Sequence, residues 1–369
     1  MVPELVEGTN IIMNNIFSNL KVIELAGVLA GPSVGVFFSE LGAKVIKVEN
    51  KKTQGDVTRT WKISSEEKGN APGAYYWSVN TGKEVLFLDI TQQEDLNKLY
   101  ELIKEADIVI TNYKKGDDEK LKVAYSHLKA INPKLIYASV NGFGHESSRT
   151  AYDLILQAES GFMQMNGEKN SLPVKMPVAL IDVLAGHQMK EAILIALLKR
   201  ERTGKGSHIS VSLFDSALAS LVNQATNWLI AHHLPQASGS LHPNIAPYGE
   251  IFKTSDNHLI TFAIGSDKQF KQLCELCELT HLSEHEKFST NQNRVVNRAE
   301  LFELLKLKIE TKSFENIYNY CLQHDVPIGK IRNLKEVFEL PEAKNMLKHF
   351  KDNGNSKTAV QSIAFKFLD

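Results

Sequence analysis

Short apolar runs and segments of helical period alternate along the first 230 residues or so. LKVIELA (Leu20 to Ala26) reads as a buried strand, GVLAGPSVG as a turn entering a helix, and FFSELG as that helix, closed by Gly42. AKVIKVE is a second strand, so the chain opens with a strand, helix, strand unit, the start of a parallel α/β sheet. Further on, EVLFLDI, DIVITNY and KLIYASVNGFG read as strands, and QEDLNKLYELIKEA and EKLKVAYSHLKAI as helices between them. Ala151 to Gly167 comes next as a helix, then a strongly helical segment after Ile181, then SHISVSLFDSALASLVNQATNWLIA as a sixth strand and long helix. This order predicts a doubly wound parallel sheet over residues 20–233, with binding at the carboxyl ends of the strands.

The pattern shifts at about Leu234. A Gly-, Ser- and Pro-bearing loop leads into YGEIFKTSDNHLITFAIG, two strands around the turn at Ser255 to Asn257, and helical segments fill most of residues 267–340. Residues 234–340 are therefore expected to form a smaller α+β domain. Residues 341–369 end in the strand-like AVQSIAFKFLD and are expected to return to the large domain, while residues 1–19 form a lead with little pattern.

The most pointed chemistry lies between Pro177 and Gly204. Val178 to Ile181 delivers Asp182 to a helix N-terminus, and the helix repeats Leu184, Met189, Ile193 and Leu197 before a basic end and Gly204. One reading of Asp182 is a helix cap, which contributes on the order of 1 kcal/mol. The other is a carboxylate nucleophile: Ala185, Gly186 and the apolar arm before it leave room for a large substrate, and the helix dipole favours the ionised form.

Composition bounds the function. Lys plus Arg (42) nearly balance Asp plus Glu (43), which leaves no global field for nucleic acid or an anionic membrane, so any anion site is local. The longest apolar run, Ala192 to Leu198, is far short of the roughly 20 residues of a membrane span, and MVPELVEGTN lacks the features of a signal peptide; a cytoplasmic location is expected. Cys274, Cys277 and Cys321 fit a reducing compartment, and the CxxC falls on the apolar stripe of a helix, as buried core does. His281 and His285 lack a completing cluster and read as surface.

Two further stretches bear on ligands. Gly27, Gly31 and Gly35 are spaced four apart rather than as the G-x-G-x-x-G of a nicotinamide site. The segment from Asn50 to Glu84 is too long for a plain connector, and its GDVTR and NTGK offer Arg59 and Lys83 as cations, a solvated basic loop being the alternative.

In this order, GVLAGPSVG, LGAKVIKVE, GDVTR, NTGK, ADIVITNYKKG, INPKLIYASVNGFG, YDLILQAESG, the Asp182 helix with its ALLKRERTGKG ending, and HPNIAPYG resemble the family III CoA-transferases. These are the formyl-CoA, succinyl-CoA and carnitine-CoA transferases, with α-methylacyl-CoA racemase as a related branch. Each piece is weak alone, but nine in register across about residues 20–335 are specific.

The resemblance implies an interlocked homodimer with a Rossmann-like large domain, acyl-CoA and a small carboxylic acid as substrates, and no permanently bound cofactor or metal. It implies CoA contacts at Val28, Leu29, Ala30, Val79, Lys83, Asn112, Tyr113 and Lys120, with Arg59 a further cation. Asn141 stands where some members have lysine and Asn50 where some have arginine, for which Lys51 or Lys52 is the substitute. Asp182 becomes the group that carries the acyl-CoA chemistry, with backbone N–H groups near Gly265 as oxyanion donors. His242, Asn244 and Tyr248 lie in the loop entering the small domain, where they either line the acid pocket or form a structural turn. In the racemase branch a histidine precedes the aspartate matching Asp153; here it is Tyr152, a poor base at neutral pH. Transferase is therefore read ahead of 2-methylacyl-CoA racemase, and a non-catalytic CoA-binding protein is set aside because Asp182 is present. AIGSDKQF has a single glycine, which argues against the lid of formyl-CoA transferases, and the chain stops soon after AFKF, where family members usually continue.

Overall fold

The structure is a computed structural model that describes residues 15–69, 71–352 and 354–368. The chain divides into two units, one of residues 1–164, 174–235 and 345–369, the other of residues 165–173 and 236–344.

The large unit is built on six parallel strands, β1 (Lys21–Glu24), β2 (Lys44–Asn50), β3 (Glu84–Leu88), β4 (Ile108–Thr111), β5 (Ile136–Asn141) and β6 (Ser207–Ser212), in the order β3-β2-β1-β4-β5-β6. Val, Ile and Leu fill these strands because both sheet faces are covered. Val22, Val45, Ile108, Ile136 and Val140 point to one face, where they pack with helix α1 (Ala30–Glu40) and helix α7 (Leu180–Thr203). Ile23, Ile46, Val109 and Tyr137 point to the other, against α3 (Gln93–Lys104) and α5 (Tyr125–Ile131). The strand order reverses between β1 and β4, whose outgoing loops part there and open a crevice.

Several elements differ from the sequence reading. α1 begins at Ala30, so Gly31, Pro32 and Gly35 lie inside the helix rather than in a turn before it. Their smallness serves close packing: a Cβ on Gly31 would stand 2.4 Å from the Ala26 Cβ, and one on Gly35 1.8 Å from a Glu24 oxygen. The long segment after β2 holds two short 3-10 turns (Lys51–Thr53, Val57–Thr60) and α2 (Ala74–Asn80). The helix expected before β5 splits into α4 (Asp117–Lys120) and α5, the one after it shortens to α6 (Asp153–Glu159), followed by the single turn Phe162–Met165, and the long helix after β6 splits into α8 (Leu213–Ala219) and α9 (Val222–Leu229). On α7 the buried stripe is Ile181, Ala185, Met189, Ile193 and Ala196, with Leu184 and Leu197 only half-buried, because the small residues are those that meet α1.

Of the N-terminal lead, residues 1–14 lie outside the described residues; from Asn15 the chain is a turn whose Phe17 packs on Phe38, with ring centroids 5.3 Å apart. At the other end the strands are β10 (Leu347–Asp352) and β11 (Asn355–Val360), an antiparallel hairpin, while the described residues beyond Val360 form no strand. Lys348 and Ser362 both bind the Glu40 carboxylate at the end of α1, and Phe350 meets Trp77 of α2.

The second unit carries a three-stranded antiparallel sheet, β7 (Tyr248–Lys253), β8 (Leu259–Ala263) and β9 (Ile328–Lys330), covered by the helices at 267–276, 298–309 and 314–323. Cys274, Cys277 and Cys321 are buried in that core, where burial pushes each thiol up to about 12 and keeps it neutral. Among the described residues no helix is long and apolar enough to cross a membrane.

Candidate active site

Asp182 is the third residue of α7, whose N-cap position is taken by Ala179, a residue with no capping side chain. The helix is capped from outside instead. Asp153, at the start of α6, accepts the Ile181 N–H at 2.8 Å through Oδ1 and holds the Gln157 side-chain amide at 2.6 Å through Oδ2. The capping reading of Asp182 thus falls to a different carboxylate. Asp182 itself accepts no hydrogen bond among the described residues, is only 8 % exposed, and lines a cavity of about 430 Å³ at the carboxyl ends of β1, β4 and β5.

Burial and then the neighbouring Asp153 charge push the Asp182 carboxyl from 3.8 to about 7. The helix dipole, expected to favour the anion, is outweighed by lost hydration, whose effect on a carboxylate with no hydrogen-bond donor is the larger of the two. Such a group is about half ionised at neutral pH, and the anion has no hydrogen-bonded shell to strip before it attacks an electrophile. Gly186 and Ala185 do not make room for substrate beside it. Ala185 is buried, and a Cβ on Gly186 would come within 2.3 Å of Ser33 Oγ, so both residues let α7 seat closely against α1.

One wall of the cavity is the stretch Gly27 to Ala30, which leads from β1 into the first residue of α1. Val28 sits there with φ of +71°, in the left-handed region that costs a β-branched residue roughly 1–2 kcal/mol. Asn112, just past β4, clamps Gly27 twice, accepting its N–H at 3.1 Å and donating to its carbonyl at 2.9 Å. Val28, Leu29, Ala30, Asn112, Tyr113, Asn141 and Asp182, far apart in the sequence, therefore line one cavity.

The family model for CoA-transferase family III matches residues 17–369. The chain belongs to that family. It is 37% identical over 331 residues to a succinate–glutarate CoA-transferase of Agrobacterium fabrum, covering 88% of this chain and 82% of the relative, and 34% identical over 335 residues to the human succinyl-CoA:glutarate CoA-transferase, covering 89% and 75%. A solved structure of a CAIB/BAIF family protein from Brucella suis superposes with a TM-score of 0.82 at 38% identity, covering 96% of this chain and 93% of that one.

Four of the residues expected at CoA lie outside the cavity wall of this CoA-transferase. Lys83 Nζ is buried against both Glu24 oxygens (2.9 and 2.7 Å), the Pro32 carbonyl and Asn80 Oδ1; burial lowers its pKa to about 8. Val79 is buried on α2. Arg59 grips Glu49 with two nitrogens and stacks 4.2 Å over the Tyr76 ring. Lys120 is exposed and pairs with Asp117 on its own turn of helix. A second cavity, of about 210 Å³, opens at the ends of β1, β2 and β3 beside Asn50 and Tyr113. There the Asn50 side chain accepts the Lys52 N–H, while Lys52 Nζ turns to Asp89 and Thr91, and Lys51 is exposed.

In the small unit the Gly265 N–H donates to Gln269 Oε1 at 2.9 Å, and the His242 and Tyr248 rings lie 4.9 Å apart. Asn291 donates to the Asn244 carbonyl, and Arg298 ties down the carbonyls of His242 and Ile245.

Sequence reasoning passed over some of the cavity's polar residues. Arg149, His145 and His208 line it, with the Arg149 guanidinium 3.7 Å over the Phe143 ring. Tyr75 on α2 has its phenol pushed up to about 12 by burial and by the carboxylates of Asp182, Asp153 and Asp56. The aspartate of GDVTR reaches the Gly27–Val28 loop, and the motif's arginine does not. Its Gly-Asp pair was the available signal.

Proposed function

We propose that this CoA-transferase moves CoA from succinyl-CoA to a dicarboxylic acid such as glutarate, with Asp182 as the covalent relay. The observation that carries the proposal is an aspartate at the head of a helix, relieved of capping by Asp153, unpaired, and facing the cavity at the point where the strand order reverses.

An Asp182 oxygen attacks the donor thioester carbon, the C–S bond breaks, and CoA leaves as thiolate, giving a mixed anhydride. The thiolate attacks the aspartyl carbonyl, the donor acid departs as carboxylate, and an aspartyl-CoA thioester remains. The acceptor carboxylate attacks that thioester and displaces the thiolate; the thiolate then takes the acceptor acyl group and returns Asp182 as a free carboxylate. The raised pKa serves the first attack, since a poorly solvated carboxylate is reactive as nucleophile. CoA runs along Val28, Leu29, Ala30, Asn112, Tyr113 and Asn141, and the enzyme works as a cytoplasmic homodimer.

The choice of acids follows the relatives' names; Arg149 of the cavity already pairs with the Glu159 carboxylate. A racemase needs two opposed acid/base groups, and the residues that would supply the second are poorly suited, Tyr152 being exposed and both Asp153 oxygens engaged. The test is purified protein with succinyl-CoA and glutarate, read by mass spectrometry. Glutaryl-CoA and free succinate are expected in equal amounts. Deuterium uptake at the α-carbon of a 2-methylacyl-CoA, with no CoA transfer to any dicarboxylate, would overturn the proposal.

A further inference from the structure

A run of buried charges passes through the large unit and ends at the cavity wall. Lys83 Nζ binds Glu24; Glu24 Oε1 also receives Lys47 Nζ at 2.9 Å; Lys47 Nζ in turn lies 3.1 Å from Asp56 Oδ2 and 2.8 Å from the Ala26 carbonyl. The side chains of Glu24, Lys47, Lys83 and Asp56 are each 2 % exposed or less. Asp56 Oδ1 is occupied by the Thr58 N–H and hydroxyl, and Oδ2 also accepts the Val28 N–H at 3.2 Å. Val28 is the residue held at φ of +71°.

A valine does not stay in that conformation without a restraint, because its branched Cβ crowds the neighbouring carbonyl. Asn112 holds the carbonyl side of the Gly27–Val28 peptide, and the N–H side of the same peptide needs an acceptor of its own. The acceptor that holds the Val28 N–H inward is Asp56. Lys47 keeps that acceptor charged, and Glu24 with Lys83 keeps Lys47 in place.

We propose that Asp56 is a positioning residue for CoA binding, pinning Val28 in the left-handed conformation and so setting the shape of the Gly27 to Ala30 wall on which the thioester substrate docks. The proposal rests on the docking of CoA along that wall but requires neither a particular acceptor acid nor the aspartyl intermediate.

The experiment measures CoA binding by calorimetry, and kcat and KM for succinyl-CoA, on Asp56→Asn, Asp56→Glu and the double variant Asp56→Asn with Val28→Gly. Losing one buried charge-assisted hydrogen bond is expected to weaken CoA about tenfold and to raise KM in step, with kcat within about threefold of wild type. Glycine adopts positive φ without the restraint, so the double variant is expected to recover at least about threefold of the loss. CoA affinity within twofold of wild type in Asp56→Asn, or no recovery in the double variant, overturns the proposal. Should Asp56→Asn fail to fold, Asp56→Glu decides. It keeps a charge for Lys47 but displaces the oxygen from Val28, so a loss of at least about threefold supports the proposal and unchanged CoA affinity overturns it. CoA binding is read without turnover, so a wrong acid or a different nucleophile would appear in the activity assays and leave this result standing.

Discussion

Asp182→Asn tests the environment of the carboxylate through stability alone. The folded carboxyl titrates near 7 and an unfolded one at 3.8, a difference of roughly three pH units. At about 1.4 kcal/mol per unit, holding Asp182 ionised in the folded protein costs up to about 4 kcal/mol. The sign comes from proton counting. Between pH 3.8 and 7 the unfolded chain has lost the proton that the folded chain keeps, so stability falls as pH rises through this window; the penalty is absent below it and complete above it. Asparagine has nearly the same shape and never ionises. The variant is therefore expected to match wild type near pH 4 and to exceed it by as much as about 4 kcal/mol at about pH 8. Taking the difference between the two proteins at each pH cancels the titrating groups that do not sense Asp182. All three tryptophans, Trp61, Trp77 and Trp228, lie in the large unit, so urea unfolding followed by tryptophan fluorescence reports on the unit that holds Asp182. A stability difference that stays within about 1 kcal/mol across this pH range would show that the carboxylate is better solvated than the cavity allows, and its heightened reactivity would lose its physical basis.

Other predictions concern activity and packing. kcat/KM for the acyl-CoA donor is expected to rise with pH and level off above a midpoint near 7, as the attacking group must be ionised; a flat profile from about pH 5 to 9 contradicts Asp182 as that group. Gly186→Ala should destabilise the large unit by about 1–3 kcal/mol because its Cβ meets Ser33 Oγ, and Ser33→Ala should restore part of the loss, both read by urea unfolding. Lys83→Met removes the cation from fully buried Glu24 and should cost about 3–5 kcal/mol of stability in urea unfolding; a loss under about 1 kcal/mol would contradict the buried pairing.

The alternation of apolar runs and helical segments made the large sheet legible, because parallel strands buried on both faces must be apolar and crossovers must have length. Asp182 was legible for a similar reason, since a lone carboxylate after an apolar arm marks a helix start. What the pattern could not show was which carboxylate performs the capping. Asp153 reaches the Ile181 N–H from 28 positions earlier, and nothing local to Asp182 records that contact. Lys83 shows the same limit from the other side. Its motif offered a cation, but the partner that claims it, Glu24, lies 59 positions away inside a strand that reads as apolar. The left-handed Val28 left no trace either, because the residues that permit it, Asp56 and Asn112, come from separate crossovers.

Passage of the acyl group through Asp182 can be measured directly. The protein is incubated with succinyl-CoA and no acceptor, trapped with borohydride or hydroxylamine, and the modified peptide mapped by mass spectrometry. Modification confined to Asp182, absent in Asp182→Asn although that variant still binds CoA, is the predicted result. A trapped adduct on any other side chain, or full turnover by Asp182→Asn, would contradict it.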